Sequence, residues 1–394
     1  MTKKRNILFL SGWYPNRVLP TLGNFVQKHA EAVALHSNVA ALHVCADASC
    51  VQEFEVTENT INNVFTVNVY YKKVNHGIPI ISQVQKIRRN LEAWSIGLQH
   101  INKKLGHIDL VHHNILYPSG IIALNLKRKK RIPYIVTEHS TAYLPSKSRS
   151  MGFTESILSK MIARNASFIT PVSGDLKKAM LDHGLAGNYE VVYNVVNTKL
   201  FSPSKTKPGN AKINFLHIST LDDPHKNISG MLSTVAALSK RRADFQCHFI
   251  GDGDTAPHIA RAKQLGIHNT FAFFDGTKTT EEIAALMHNA DAFMLFSNYE
   301  NLPVVIIEAL ASGLPVLSSN VGGIHEHITQ ERGMLVEAKN EKELEEGMAQ
   351  LIENIRAGRY DAAALAAYAE ENFSYEKVSA KFHHLYQQVL KNNV

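Results

Sequence analysis

Long apolar runs and cysteines are both scarce in this 394-residue chain. No apolar stretch reaches the ~18 residues of a membrane-spanning helix, and the basic start leads into only about nine residues of strand-like sequence, which is short for a signal peptide. The three cysteines, Cys45, Cys50 and Cys247, are odd in number and lack the spacing of zinc ligands. These absences predict a cytoplasmic protein without a structural metal.

Acidic residues are scarce in the first half of the chain. Residues 1–200 carry 24 Lys and Arg against 12 Asp and Glu, a net charge of +12, whereas residues 201–394 carry 18 against 23, a net charge of −5. Because each Lys or Arg near an anionic leaflet contributes about 1 kcal/mol of attraction, this excess predicts a peripheral membrane contact, with a solvated basic face as the alternative. Nucleic-acid binding is not expected, because no interleaved aromatic motif accompanies the basic residues.

Segments predicted as strands alternate with segments predicted as helices in both halves of the chain. The predicted strands are residues 7–11, 39–45, 64–71, 110–113 and 134–138 in the first half, and 213–219, 245–250, 271–274, 292–296 and 315–318 in the second. Such alternation predicts an α/β protein with two doubly wound parallel sheets, each covered by helices on both faces.

The length of the chain also predicts two domains, because single hydrophobic cores stop growing at about 250–300 residues. The periodicity breaks near residues 191–203, and the polar segment 204–211 is the best candidate for a linker. We therefore expect a first domain over residues 1–200 and a second over 201–374. Residues 375–394 predict an amphipathic helix.

The stretch from Ser297 to Val316 carries the most functional information. Glu300 and Glu308 are separated by seven residues, and Pro303 between them suits the first turn of a helix because its missing N–H has no partner there. This places Glu300 on a loop after a buried strand and Glu308 inside the helix. Two carboxylates beside a helix N-terminus, which favours phosphate, match a polyol joined to a phosphate, as in a nucleotide sugar.

This stretch, ENLPVVIIEALASGLPV from Glu300, resembles the Glu-x7-Glu signature of retaining glycosyltransferases of the GT-B fold, in particular family 4. The resemblance runs from Trp13 to Glu308. It implies two Rossmann-like domains around a cleft, with the acceptor on the first domain, the nucleotide sugar on the second and the last helix crossing back to the first domain. It also implies that Glu308 holds the ribose hydroxyls, that Glu300 holds the hexose hydroxyls and that no metal is needed.

The loop after the first strand extends the resemblance. Residues 20–26 match a family loop that closes over the donor phosphates, and Gly23 permits a close approach of the backbone while the following helix offers free N–H groups. Many relatives carry a second glycine where this chain has Asn24. An ordinary turn at the start of a helix is the alternative.

His139 is the candidate catalytic side chain of the first domain. It ends a predicted strand at the edge of the sheet where ligands bind in open α/β folds. The family has a histidine in a matching place, over the transferred sugar. Glu138 is the second candidate at this edge, although it is more readily interpreted as a surface or ion-paired carboxylate; His43, His112 and His113 are expected to be structural or solvent-exposed.

Residues 216–227 resemble the family segment whose arginine and lysine neutralise the donor diphosphate. Lys226 matches the lysine, but Thr220 stands at the arginine position and Ser219 at the preceding glycine. Two cations facing a departing diphosphate make chemical sense, because negative charge builds there as the bond breaks. Either another basic residue substitutes, or the hydroxyls of Ser219 and Thr220 serve, or activity is weak.

Further donor-site candidates follow from the same resemblance. They are the turn glycines Gly251 and Gly253, Asp275 at the end of the next strand, and Asn301, Leu302 and Pro303 beside Glu300. Together these residues predict a hexosyltransferase that moves sugar from a UDP- or GDP-linked donor to a glycan or lipid-linked acceptor in cell-surface polysaccharide synthesis. Two alternatives are a sugar-nucleotide epimerase and a non-catalytic or weakly active nucleotide-sugar-binding protein, the latter suggested by Thr220.

Overall fold

The computed structural model describes residues 4–73, 79–145, 152–204 and 211–392, without the side chains of residues 79–81. Most of the predicted linker, residues 205–210, lies outside these ranges. The described residues form two α/β units, each built on its own sheet, and the two sheets are joined by the segment that leads from the first unit into the second. The predicted two-domain, doubly wound architecture is confirmed.

The first sheet has seven strands in the order β3-β4-β2-β1-β5-β6-β7. Its central strands are buried at every position, and so on both faces of the sheet, as parallel strands between two helical layers must be. The strands are β1 (Asn6–Ser11), β2 (Asn38–Asp47), β3 (Phe54–Ile61), β4 (Val64–Lys72), β5 (Leu110–Asn114), β6 (Tyr134–Glu138) and β7 (Ile169–Pro171).

Helices cover both faces of this sheet. Helix α1 packs on one face, while α2, α3 and α4 contribute Trp94, Ile122 and Ile162 to the core on the other. The helices are α1 (Asn24–Ala34), α2 (Pro79–Leu105), α3 (Gly120–Lys130), α4 (Phe153–Asn165) and α5 (Gly174–Asp182). Ser173 caps α5, because its hydroxyl accepts the N–H of Leu176 at 3.0 Å.

The second sheet has six parallel strands in the order β10-β9-β8-β11-β12-β13. Its strands are β8 (Ile213–Ile218), β9 (Phe245–Ile250), β10 (Ala272–Phe274), β11 (Ala292–Leu295), β12 (Val316–Ser319) and β13 (Gly333–Val336). Its helices are α6 (Asp223–Lys226), α7 (Ile228–Ser239), α8 (Ala256–Gln264), α9 (Thr280–Asn289), α10 (Val304–Ala311), α11 (Glu341–Arg356) and α12 (Ala362–Phe373).

The last helix, α13 (Tyr375–Lys391), crosses back to the first domain. Its apolar face places Val378 and Phe382 in one buried cluster with Ile7 and Phe9 of β1. A hydrogen bond of 2.6 Å between the Tyr386 hydroxyl and Nδ1 of His112 joins the same helix to β5. The predicted return of this helix is therefore confirmed.

The prediction of a wholly parallel first sheet is wrong at one edge. Strand β3 pairs antiparallel with β4 and forms a hairpin with it through Asn62 and Asn63, which both have positive φ. Most side chains of β3 are exposed, so the strand lacks the apolar run that identifies a buried parallel strand.

In the described part of the chain, none of the helices combines the length and apolar composition needed to cross a membrane.

Candidate active site

The carboxyl edges of the two sheets meet at an interdomain cleft. The loop between β11 and α10, residues 296–303, reaches across this cleft to the first domain. The Asn301 side-chain amide donates to the backbone oxygen of His139 at 2.7 Å, and Asn194 donates to the backbone oxygen of Leu302 at 2.9 Å. Two predicted site residues from different domains, His139 and Asn301, are therefore in direct contact.

Glu300 and Lys226 form a buried ion pair in the second domain. Glu300 lies on the loop before α10, and Lys226 is the last residue of α6, a short helix that ends because Asn227 adopts a left-handed conformation. The Lys226 Nζ lies 2.5 Å from Oε1 of Glu300, and their side chains are only 11% and 8% exposed. Lys226 is therefore a buried, paired cation and not a surface lysine.

His225 adds a second partner to this carboxylate. Its Nε2 lies 2.9 Å from the backbone oxygen of Tyr299 and 3.4 Å from Oε1 of Glu300, and its ring stacks on the Tyr299 ring at 4.2 Å. Burial raises the pKa of Glu300, but the charges and hydrogen bonds of Lys226 and His225 outweigh it and lower the pKa to about 2. Glu300 is consequently an ionised acceptor at any ordinary pH.

Glu308 lies on the buried face of α10 and is paired across the cleft. The Nζ of Lys28, on α1 of the first domain, lies 2.8 Å from Oε1 of Glu308, and both side chains are largely buried. The structure thus confirms that Glu300 lies on the loop and Glu308 in the helix. Helix α10 begins at Val304, so Pro303 immediately precedes the helix, and the prediction that it occupies the first turn is wrong by one residue.

His139 lies at the end of β6, packed among aromatic rings. Its ring centroid is 4.5 Å from that of Phe25 and 5.3 Å from that of His29, and its Nε2 lies 3.4 Å from Oδ1 of Asn114. Burial lowers the pKa of His139 well below its usual value of 6.5, His29 lowers the pKa further, and Asn194 opposes this only in part. His139 is therefore a neutral imidazole at physiological pH.

The interpretation of Glu138 as a surface or ion-paired carboxylate is wrong. Glu138 is fully buried, and its carboxylate accepts the backbone N–H groups of Leu116, His139 and Ser140 at 2.8, 2.9 and 2.8 Å. Burial raises the pKa of Glu138, and the three backbone donors oppose that rise. This carboxylate fixes the loop that presents His139.

His43, His112 and His113 were predicted to be either structural or solvent-exposed. All three are buried, so the structural role is correct.

The β1–α1 loop requires its glycine. Gly23 precedes α1 with φ +66°, and a Cβ there would lie 2.4 Å from the backbone oxygen of Trp13. Neither the conformation nor the space admits another residue. The exposed Asn24 follows as the first residue of α1. The prediction of free N–H groups at this helix end is largely wrong, because the N–H of Asn24 donates to the backbone oxygen of Thr21 at 3.4 Å, and those of Val26 and Gln27 donate to that of Gly23 at 2.9 and 3.2 Å.

Two turns of the second domain pack backbone against backbone. A Cβ on Gly251 would lie 2.0 Å from the backbone oxygen of Ser219, and one on Gly253 would lie 2.1 Å from that of Thr220. The Ser219 hydroxyl is 2.8 Å from Nε2 of His217 and accepts the N–H of Leu221. The Thr220 side chain is exposed. Glycine at these two positions therefore allows the backbone of the Ser219–Thr220 turn to pack closely against them.

Asp275 lies further along the same edge, after β10. Its carboxylate is half-exposed and lies 3.2 Å from Nδ1 of His248, and its N–H donates to the backbone oxygen of Phe249. The structure brings Glu300, Lys226, Asn301 and His139 into one connected set of contacts, whereas the described side-chain contacts of Asp275 connect it only to β9.

Sequence reasoning missed three residues at the cleft: Lys28, His225 and Glu326. Glu326 lies in a 3-10 turn of the second domain, and its carboxylate accepts the N–H groups of Gly174 and Asp175 at 3.0 and 2.9 Å, at the start of α5 in the first domain. No local pattern identifies such a residue, because its partners are distant in sequence.

Within the described ranges, no group of three or more His, Cys, Asp or Glu side chains is arranged to hold a metal ion.

Two family models match consecutive parts of the chain. The model described as "Glycosyltransferase Family 4" matches residues 34–200, and the model described as "Glycosyl transferases group 1" matches residues 201–371. Together they cover both sheets apart from β1. The boundary between the two matches lies in the segment that connects the sheets.

Individual relatives agree with these matches. The MMP alpha-(1->4)-mannosyltransferase of Mycolicibacterium hassiacum is 27% identical over 72% of this chain and 72% of its own length. The sucrose-phosphate synthase of Thermosynechococcus elongatus is 20% identical, with a TM-score of 0.78 over 99% of this chain and 100% of its own. HepE of Anabaena, whose structure is in complex with UDP, is 16% identical with a TM-score of 0.70 over 97% and 100% of the two chains.

Proposed function

We propose that this chain, which belongs to glycosyltransferase family 4, transfers a hexosyl group from a UDP- or GDP-linked sugar to a glycan or lipid-linked acceptor. The family and the GT-B fold that the Glu300–Glu308 stretch predicted are both confirmed. The observation that carries the proposal is the buried Glu300–Lys226 pair in the interdomain cleft, in contact through Asn301 with His139. We place the reaction in cell-surface polysaccharide synthesis, in the cytoplasm, with the first domain in peripheral contact with the inner face of the plasma membrane.

The donor is proposed to lie between Glu308 of α10 and Glu300 of the loop that precedes this helix. Glu308 accepts the ribose hydroxyls and Glu300 accepts hydroxyls of the hexose, since an ionised carboxylate is a strong acceptor in a buried site. Two similarities support this class of donor: HepE is known in complex with UDP, and the mannosyltransferase is named for transfer of a hexose. Gly23, Asn24, Ser219, Thr220, Gly251, Gly253 and Asp275 are proposed to border the nucleotide and its phosphates.

The reaction is proposed to retain the anomeric configuration. As the bond between the anomeric carbon and the diphosphate breaks, negative charge grows on the diphosphate, and its oxygen takes the proton of the acceptor hydroxyl that attacks on the same face. The Lys226 ammonium has three N–H donors, of which Glu300 uses one, so two remain for phosphate oxygens. The neutral imidazole of His139 lies over the sugar, where positive charge develops.

Protein groups are proposed to neutralise the leaving diphosphate without a metal ion. Lys226 supplies one positive charge, and the dipole of α1 supplies a partial positive charge at its N-terminus. The test is the initial rate in excess chelator compared with the rate in Mg²⁺ or Mn²⁺. Equal rates support the proposal, and a rate that falls with chelator and returns with metal contradicts it.

A weakly active or non-catalytic nucleotide-sugar-binding protein is the second candidate, favoured by Thr220 at a position where relatives carry an arginine. An epimerase is the third. Incubation of the donor alone separates them: slow hydrolysis indicates a transferase, conversion to an isomeric donor indicates an epimerase, and binding without any reaction indicates the non-catalytic protein.

A thermal-shift panel of UDP- and GDP-sugars tests the proposed donor class. We expect a rise in the melting temperature with one nucleotide series, a larger rise with one sugar of that series, and loss of the rise in Glu308→Gln. A flat response to every nucleotide sugar would contradict the proposal. The anomeric configuration of the product, read by NMR with the donor so identified, then tests retention.

A further inference from the structure

Large apolar side chains are exposed along one side of α2 in the first domain. Val84, Ile87 and Leu91 follow the three- and four-residue spacing of a helical stripe, and their exposed fractions are 60%, 52% and 49%. The same helix buries Ala93, Trp94 and Ile101 in the core of the domain. The stripe is therefore additional to the apolar face that α2 needs for packing.

Two loops continue this apolar stripe at the carboxyl edge of the first sheet. Leu19 follows β1 and is 53% exposed; Val51 follows β2 and is 85% exposed. An ion pair joins α2 to the loop that carries Val51, because Arg89 lies 2.9 Å from Glu53. The loop that carries Leu19 is paired with β3 instead, because Arg17 lies 2.6 Å from Glu55. We call this surface the apolar rim; it consists of Leu19, Val51, Val84, Ile87 and Leu91.

Exposed basic residues flank the apolar rim. Lys73 follows β4, and Lys86 and Arg88 alternate with the apolar residues of α2. The acidic residues nearby are Glu53, which pairs with Arg89, Asp47 and Glu55, which both pair with Arg17, and the exposed Glu92. The rim therefore combines apolar side chains with a basic border, which is the composition of an interfacial segment on an anionic bilayer.

We propose that the apolar rim and its basic border dock on an anionic lipid bilayer. The apolar side chains enter the boundary between headgroups and acyl chains, and Lys73, Lys86 and Arg88 contact lipid phosphates. Because His139 ends β6 at the same edge of the sheet, docking directs the acceptor side of the cleft towards the membrane. This proposal deepens the proposed function by assigning a surface to the membrane contact, but vesicle binding requires neither donor nor catalysis.

Vesicle flotation tests the docking surface. Vesicles of phosphatidylcholine with phosphatidylglycerol are mixed with the protein at moderate salt, without nucleotide sugar or acceptor, and we expect the protein to float with them. Val84→Ser/Ile87→Ser should weaken partitioning by at least about tenfold. Leu181→Ser, an exposed leucine of α5 outside the rim, should leave partitioning unchanged.

A matched pair of charge variants tests the location of the basic contact. Lys86→Gln/Arg88→Gln removes two charges at the carboxyl edge, whereas Lys129→Gln/Lys130→Gln removes two exposed charges at the end of α3, at the opposite edge. We expect about tenfold weaker partitioning for the first variant only. Equal losses would show that total charge, not this surface, binds the vesicles.

Three further results overturn the proposal. They are a wild-type protein that does not float, rim variants that float as well as the wild type, and a wild-type dimer in size-exclusion chromatography that the rim variants dissociate, since a second copy would then be the occupant. Retention of the donor-induced thermal shift shows that each variant is folded. Loss of flotation with that shift intact separates failure of docking from failure of the proposed function.

Discussion

The ammonium group of Lys28 lies 2.8 Å from the carboxylate of Glu308, and this pair joins the two domains across the cleft. Lys28 comes from α1 and Glu308 from α10, so the two residues are 280 positions apart. The carboxylate that we assign to the ribose is thus already paired within the chain. A bound donor must either share this carboxylate with Lys28 or displace it.

Lys28→Met should lower the stability of the unliganded protein and enlarge its response to donor. The substitution leaves a largely buried carboxylate without its cation, which costs about 1–3 kcal/mol. Donor hydroxyls would then satisfy a carboxylate that no longer has a competing partner. Thermal unfolding with and without donor measures both effects. Comparison of the double variant Lys28→Met/Glu308→Gln with the two single variants gives the interaction free energy between the two side chains. An unchanged unfolding temperature in Lys28→Met would show that the pair contributes nothing.

Glu308→Gln should weaken donor binding by at least about tenfold, because a charged acceptor for hydroxyls is replaced by a neutral one of the same size. Titration calorimetry with the donor found in the thermal-shift panel gives the dissociation constant. Glu331→Gln, which removes an exposed carboxylate from the same domain, is the control and should bind as the wild type does. Unchanged donor affinity in Glu308→Gln would show that Glu308 does not bind the ribose.

Thr220→Arg should raise kcat by about tenfold, because a second cation at this exposed position would stabilise the departing diphosphate. Thr220→Gln adds a long side chain without charge and is the matched control. Steady-state rates at saturating donor measure the effect. If both variants give the wild-type rate, the charge of the diphosphate is balanced by other groups, and the absent arginine does not limit activity.

The free energy of unfolding should fall as the pH drops from 6.5 towards 4. Burial lowers the pKa of five histidines to about 4, namely His29, His43, His113, His217 and His327, whereas in the unfolded chain their pKa is near 6.5. Between these values the unfolded chain binds more protons, so stability rises with pH and is fully present above 6.5.

Urea unfolding at a series of pH values measures this slope. His43→Gln removes one titrating group and should reduce the slope by up to about 1.4 kcal/mol per pH unit within the window. A stability that is flat from pH 7 to pH 5 would show that these histidines already bind protons in the folded protein.

The sequence predicts most of the buried strands well because apolar residues predominate in them. Residues 134–138 and 245–250 are strands with the predicted bounds. Strand β3 was not predicted because its residues are polar and exposed, and β7 because it has only three residues. The four-residue strand β13 was not predicted either. The local apolar pattern therefore predicts the strands in the interior of both sheets. At the edges it predicts β10 but misses β3, β7 and β13.

The motif around Glu300 predicts the loop and helix positions of its two glutamates, but tertiary contacts decide what each polar residue does. Lys28 is one of many lysines on helices, and nothing beside it in the chain indicates Glu308. Glu138 was misinterpreted for the same reason, since one of its three backbone donors, Leu116, lies 22 residues away. The pairing of ionisable groups is a property of the folded chain.

The return of α13 to the first domain has a consequence for biosynthesis. Phe382 and Val378 complete the cluster that contains Ile7 and Phe9, yet the entire second domain is synthesised between them. While the ribosome makes that domain, one face of the first sheet lacks its final cover, and exposed apolar surface of this kind promotes aggregation. The nascent first domain is therefore expected to need a chaperone, or the growing second domain, to shield that face until α13 emerges.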